Sequence, residues 1–207
     1  MSISKRAWLV GGAVWLVVLV VAGWIWWARD HAAVTPVYQG VDLGGQPAPA
    51  FTLTDQTGAA VSLAGLQGKS ILLTFLDGHC KDVCPETLAK MADVEALLGP
   101  RAQQVAIVAI SVDPWLDQVG KPAAIAENGA PQPKSWHFLT GTHEQLKPVW
   151  QAYHVAVVEE KVGQFSVNGA HDTGFFLIDA QGKERRYISS QSPARQVVGL
   201  LRRIGPS

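Results

Sequence analysis

One stretch limits what this chain can fold into more than any other. Ser70-Ile71-Leu72-Leu73-Thr74-Phe75-Leu76 is almost unbroken apolar sequence, and it runs straight into Asp77-Gly78-His79-Cys80-Lys81-Asp82-Val83-Cys84-Pro85. A strand with one wet face would alternate polar and apolar residues. The lack of alternation predicts burial on both faces, as in a largely parallel sheet covered by helices. Residues 105–112 have the same character and end at Asp113-Pro114. Between the two strands a helix is expected over residues 85–98. Pro85 suits its first turn, where the missing N–H is not needed, and Leu88, Met91, Ala92, Val94, Leu97 and Leu98 form its apolar face.

The remaining segments extend this pattern. Residues 51–54 and 60–63 flank the turn Asp55-Gln56-Thr57-Gly58 as a hairpin. A helix is expected over residues 116–128, interrupted by Pro122. His137-Phe138-Leu139 reads as a short strand, and residues 142–153 as a helix with Thr142 as N-cap before Gln145 and with Pro148 inside it. Residues 174–179 and 184–188 bracket a turn at Ala180-Gln181-Gly182-Lys183, and a last helix covers residues 192–204. Strands alternating with helices, then a hairpin and a helix, predict an α/β sheet of thioredoxin type.

The N-terminus speaks to compartment. After Lys5 and Arg6, residues 7–28 form an uncharged and mostly apolar run. A helix of that length spans a hydrocarbon core of roughly 30 Å. Five of the eight tryptophans lie in it, with Trp8 near one end and Trp24, Trp26 and Trp27 at the other, as in an interfacial aromatic belt. A cleaved signal has a shorter apolar region and small residues at its end, so an uncleaved transmembrane helix is expected. The positive residues before it place the N-tail in the cytoplasm. The expected layout is an N-tail at residues 1–6, an anchor at 7–28, a tether at 29–48 and one domain at 49–207. Its setting is a bacterial inner membrane with the domain in the periplasm. The formal net charge of +0 offers no electrostatic basis for binding nucleic acid.

Cys80 and Cys84 are the only two cysteines. Three intervening residues let both sulfurs face one side of a loop or first helical turn, which suits a small disulfide, a redox couple or a metal clip. A helix N-terminus favours thiolate over thiol, and thiolates with an imidazole suit copper. The best candidate for such an imidazole is His171, on the loop just before the strand at residues 174–179. Zinc is disfavoured, since a closed site takes four ligands and only three are convincing. Asp77 stands three residues before Cys80, where a peroxiredoxin would carry threonine. His79 reads as an exposed loop residue, with support of the site or alternative ligation as its functional readings. Asp82 and Asp113 could orient ligands or form turns, and His137, His143 and His154 read as structural or surface residues.

Taken together, His79-Cys80-Lys81-Asp82-Val83-Cys84-Pro85, Ser111-Val112-Asp113-Pro114, Leu139-Thr140-Gly141-Thr142 and His171 ahead of Leu177-Ile178-Asp179 resemble the Sco/SenC family. The resemblance runs from about Val41 to the C-terminus. It implies a membrane-tethered, thioredoxin-like copper-binding protein that helps assemble the copper centre of cytochrome c oxidase. Cys80, Cys84 and His171 would bind one copper ion per chain, as Cu(I) or Cu(II). The implied partners are a copper donor protein and the copper-carrying subunit of the oxidase. Two departures stand out: Lys81 where the family usually has proline, and Ala170-His171-Asp172 in place of Asp-His-Ser. Neither removes a ligand, and a cation at Lys81 would favour ionised thiols. The alternative function is a thiol–disulfide reductase, with Cys80 and Cys84 as the catalytic pair, acting on the cysteines of a copper-accepting partner. Three residues between the cysteines, where redox motifs typically have two, count mildly against it.

Overall fold

The computed structural model describes residues 15–24, 26, 40–159, 165–166 and 174–206. The chain divides into two units, Met1–Val37 and Tyr38–Ser207. In the first unit, residues 15–24 and 26 are helical, with Trp15, Leu19 and Trp24 exposed. Among the described residues no helix is long and apolar enough to cross a membrane. The rest of the expected span lies outside the described residues, as do the N-tail and most of the tether.

The second unit is built on a six-stranded sheet in the order β1-β10-β9-β4-β5-β6. Its strands are β1 (Val41–Asp42), β4 (Ser70–Leu76), β5 (Val105–Ser111), β6 (His137–Leu139), β9 (Gly174–Ile178) and β10 (Glu184–Ser189). β4, β5 and β6 run parallel, while β9, β10 and β1 complete the sheet antiparallel on the other side. Two hairpins stand apart from it: β2 (Thr52–Thr54) with β3 (Ala60–Ser62), and β7 (Val158–Glu159) with β8 (Phe165–Ser166). The helices are α1 (Val83–Leu98), the single turn α2 (Ala124–Glu127), α3 (His143–Ala152) and α4 (Ala194–Ile204).

Every residue of β4 is buried, and its neighbours show why the apolar run is continuous. Leu72 and Leu76 pack with Leu88, Met91, Val94 and Leu98 of α1 and with Val197 and Leu201 of α4. Ile71, Leu73 and Phe75 point the other way, to Leu146, Val149 and Trp150 of α3 and to Leu53 and Val61 of the first hairpin. The sheet therefore has a core on each face, at roughly 1.5–3 kcal/mol for each large apolar side chain removed from water. This is the expected α/β, thioredoxin-like arrangement.

Three differences from the sequence reading have identifiable physical causes. The folded unit begins earlier than residue 49, because Val41 and Asp42 pair with Tyr187 and Arg186 of β10. α1 starts two residues before Pro85, so Cys84 lies inside the first helical turn. The helix expected over residues 116–128 is reduced to α2. Pro122 cannot donate to a helical ladder, and the Asp113 carboxylate holds the preceding turn by accepting from the N–H groups of Trp115 and Leu116, both at 3.0 Å. The helix at residues 143–152 forms as read. Gln145 returns its side-chain oxygen to the Thr142 N–H at 2.8 Å, and the helix continues through Pro148.

Candidate metal centre

The chain leaves the C-terminal end of β4, makes one loop and enters α1; Cys80 is on the loop and Cys84 in the helix. Both are free thiols, Cys80 half-buried and Cys84 4% exposed within the core under α1. The two are not equivalent. The Cys84 thiol donates a hydrogen bond to Cys80, which, with backbone N–H groups and against the cost of burial, pulls Cys80 down to about 6. Donating that bond, together with burial, pushes Cys84 well above the ordinary thiol range. The two shifts run in opposite directions, so the pair favours thiolate at Cys80 and retention of the proton at Cys84. Lys81 is not among the largest influences on Cys80; the neighbouring thiol takes the part expected of that cation.

The loop is fastened from within and from β5. The Asp77 carboxylate accepts from the His79 N–H at 2.8 Å, and the Asp77 carbonyl accepts from the Cys80 N–H at 3.3 Å. Gly78 N–H donates to Asp117 Oδ2 at 3.1 Å, and the same oxygen accepts from the Ser111 hydroxyl at 2.6 Å. Ser111 closes the end of β5, where its carbonyl accepts from the Trp150 indole N–H of α3 at 2.9 Å. Trp150, Ser111, Asp117 and Gly78 thus form a continuous chain from one helix, across a strand end, to the cysteine loop. Glycine is required at position 78, because a β-carbon there would overlap the Asp117 carboxylate.

Asp117 is the residue that sequence reasoning missed. It fell within an expected helix and was given no role; it is 3% exposed, and burial raises its carboxyl to about 6. The available signal was its spacing: it follows Asp113 by four residues just past a buried strand, and its own N–H donates to the Asp113 carbonyl at 2.9 Å. Burial likewise raises Asp77. His79 is exposed, and its Nδ1 lies 3.2 Å from Asp117 Oδ1. Asp113 acts as a turn former, and His137 pairs with Asp55 at 3.0 Å away from the cysteines.

His171 lies outside the described residues. The strand that follows it does not: Gly174 opens β9, and its carbonyl accepts from the Thr74 hydroxyl of β4 at 2.9 Å. β9 runs antiparallel to β4, so its first residue is at the sheet end from which the cysteine loop departs.

A thioredoxin-like sheet with a dithiol loop between its central strand and a helix N-terminus defines a class of proteins that handle thiol chemistry or soft metals. Residues 42–205 match the SCO1/SenC family, and the chain belongs to that family. It is 32% identical over 137 residues to the SCO1 protein homolog of Bacillus subtilis, covering 64% of this chain and 68% of that one. Among solved structures it resembles Bradyrhizobium japonicum ScoI with copper bound, at TM-score 0.65 and 29% identity over 76% of this chain and 99% of that one. It also resembles BsSco, described as a member of the Sco family of cytochrome c oxidase assembly proteins. There the TM-score is 0.66 and the identity 25%, over 80% of this chain and 96% of that one.

Proposed function

We propose that this chain is a copper chaperone that binds one copper ion per chain through Cys80, Cys84 and His171 and helps assemble the copper centre of a respiratory cytochrome c oxidase. The carrying observation is the thiol pair at the open end of β4, with Cys80 half-exposed and favoured as thiolate. The family supports it, since the Bradyrhizobium relative holds copper and BsSco belongs to a family of oxidase assembly proteins. The donor set suits the cargo: thiolates select Cu(I), and imidazole accommodates copper in either state. Cys84 gives up its proton on binding, so uptake releases a proton and is favoured by rising pH. A three-ligand site with one half-exposed sulfur leaves an approach for an incoming ligand, as exchange with a copper donor and with the copper-carrying subunit requires. The location of Gly174 beside Thr74 supports a loop ligand at position 171 on the same sheet end.

In this reading residues 7–28 are a single-pass anchor in a bacterial inner membrane, with residues 29–40 as the tether and the folded unit in the periplasm. Metal analysis of the chain purified under reducing conditions tests the function. One copper per chain, lost with Cys80→Ser and reduced with His171→Ala, is expected; copper retained in both variants would overturn it.

The asymmetry of the thiols also favours a second reading, a thiol–disulfide reductase. The Cys80 thiolate attacks one sulfur of a partner disulfide, forming a mixed disulfide and releasing one partner thiol. Cys84 then loses its proton and attacks Cys80, closing the Cys80–Cys84 disulfide and releasing the second thiol. Two electrons pass to the partner. Failure of the reduced chain to exchange with a model disulfide would remove this reading and leave the first intact.

A further inference from the structure

Beside the thiols stands a second group of donors. One ligand atom each from Asp77, His79 and Asp117 lies within 4.8 Å of the others. They come from separate parts of the fold, two from the loop after β4 and one from the turn after β5. Asp117 Oδ2 is committed to Gly78 and Ser111, but its other oxygen is not. Among the described residues Asp117 Oδ1 is fully buried with no hydrogen bond, and the His79 ring stands at ion-pair distance from it, 3.2 Å away. A buried carboxylate oxygen that accepts no hydrogen bond is costly to maintain, and two carboxyl groups brought this close disfavour each other's charge. A cation relieves both conditions. Glycine at 78 leaves the room that brings Oδ1 against the loop, and the exposed His79 leaves a way in from solvent.

We propose that Asp77, His79 and Asp117 form a second metal site, for a divalent transition ion held by one imidazole and two carboxylates. An ion of this class makes bonds of roughly 2.0–2.2 Å and holds its donors roughly 3–4 Å apart, so small side-chain rotations complete the site. Nitrogen and oxygen donors without sulfur select borderline divalent ions over Cu(I), with Cu(II) bound more tightly than Ni(II), Co(II) or Zn(II). His79 is the residue before Cys80, so the site holds a divalent ion at the threshold of the thiol pair. The two sites share no ligand, and this proposal stands or falls independently of copper at Cys80, Cys84 and His171.

Co(II) titration of the full chain carrying Cys80→Ser and His171→Ala tests it, because that background lacks two of the three proposed copper ligands. The expected result is one Co(II) per chain with no sulfur-to-cobalt charge-transfer band. Adding Asp77→Asn or His79→Ala should weaken binding at least tenfold. Both substitutions are mild, unlike one at Asp117, whose carboxylate fastens the loop, and circular dichroism checks that each variant folds. Absence of stoichiometric binding, binding indifferent to both substitutions, or a charge-transfer band assigning the ion to Cys84 would each overturn the proposal. Cu(I) titration of the unaltered chain reads the other site separately.

Discussion

At the scale of single residues, the site depends on which thiol keeps the proton. Cys80 is held at about 6 by the thiol of Cys84 before any other influence, so its alkylation rate in the metal-free, reduced chain should rise through a midpoint near pH 6 while Cys84 stays protected. Cys84→Ala removes the donor and should move that midpoint up toward the ordinary thiol range. A midpoint near 9 in the unaltered chain would refute the assignment. Gly78 is a second sensitive position. Gly78→Ala forces a β-carbon against the buried Asp117 carboxylate and should cost roughly 1–3 kcal/mol in chemical denaturation, as overpacking does elsewhere. The cysteines were legible in the sequence because two lone thiols four residues apart have few uses. Asp117 was not, because its role depends on a non-local bond to Gly78, 39 residues away.

At the scale of elements, legibility followed burial. β4 and β5 could be read because strands covered on both faces carry no polar alternation, and the Thr142–Gln145 box announced α3. The helix expected over residues 116–128 shrinks to the single turn α2, because Pro122 and the Asp113 turn decide the backbone before it. The first hairpin shows how one side chain fixes a turn. Asp55 accepts from Thr57 N–H at 2.9 Å, Thr57 hydroxyl at 2.6 Å and Ala59 N–H at 3.1 Å, and pairs with His137 at 3.0 Å. Burial alone would raise its carboxyl, but these bonds outweigh that and hold it at about 2. A folded-state value depressed from 3.8 contributes stability that is fully present above pH 4 and is lost as pH falls through 2. Asp55→Asn should therefore cost about 2 kcal/mol at pH 7 and nearly nothing at pH 2, measured by urea denaturation at both. An equal cost at the two pH values would contradict this account of the turn.

At the scale of the whole molecule, the thioredoxin-like unit and its cysteine loop followed from pattern alone, and family membership rests on residues 42–205. The start of the unit did not, because β1 is two residues long and gains its place only by pairing with β10, far along the chain. The proposed anchor predicts that the full chain sediments with membranes and resists alkaline extraction; recovery in the soluble fraction would count against it. The central claim is that the thiol pair becomes a copper centre by recruiting an imidazole from the segment before β9. X-ray absorption on the Cu(I)-loaded, reduced chain tests this most directly. The spectrum should show two sulfur scatterers and one imidazole, with the imidazole lost in His171→Ala. Sulfur ligation alone in the unaltered chain, or an imidazole that survives His171→Ala, would contradict it.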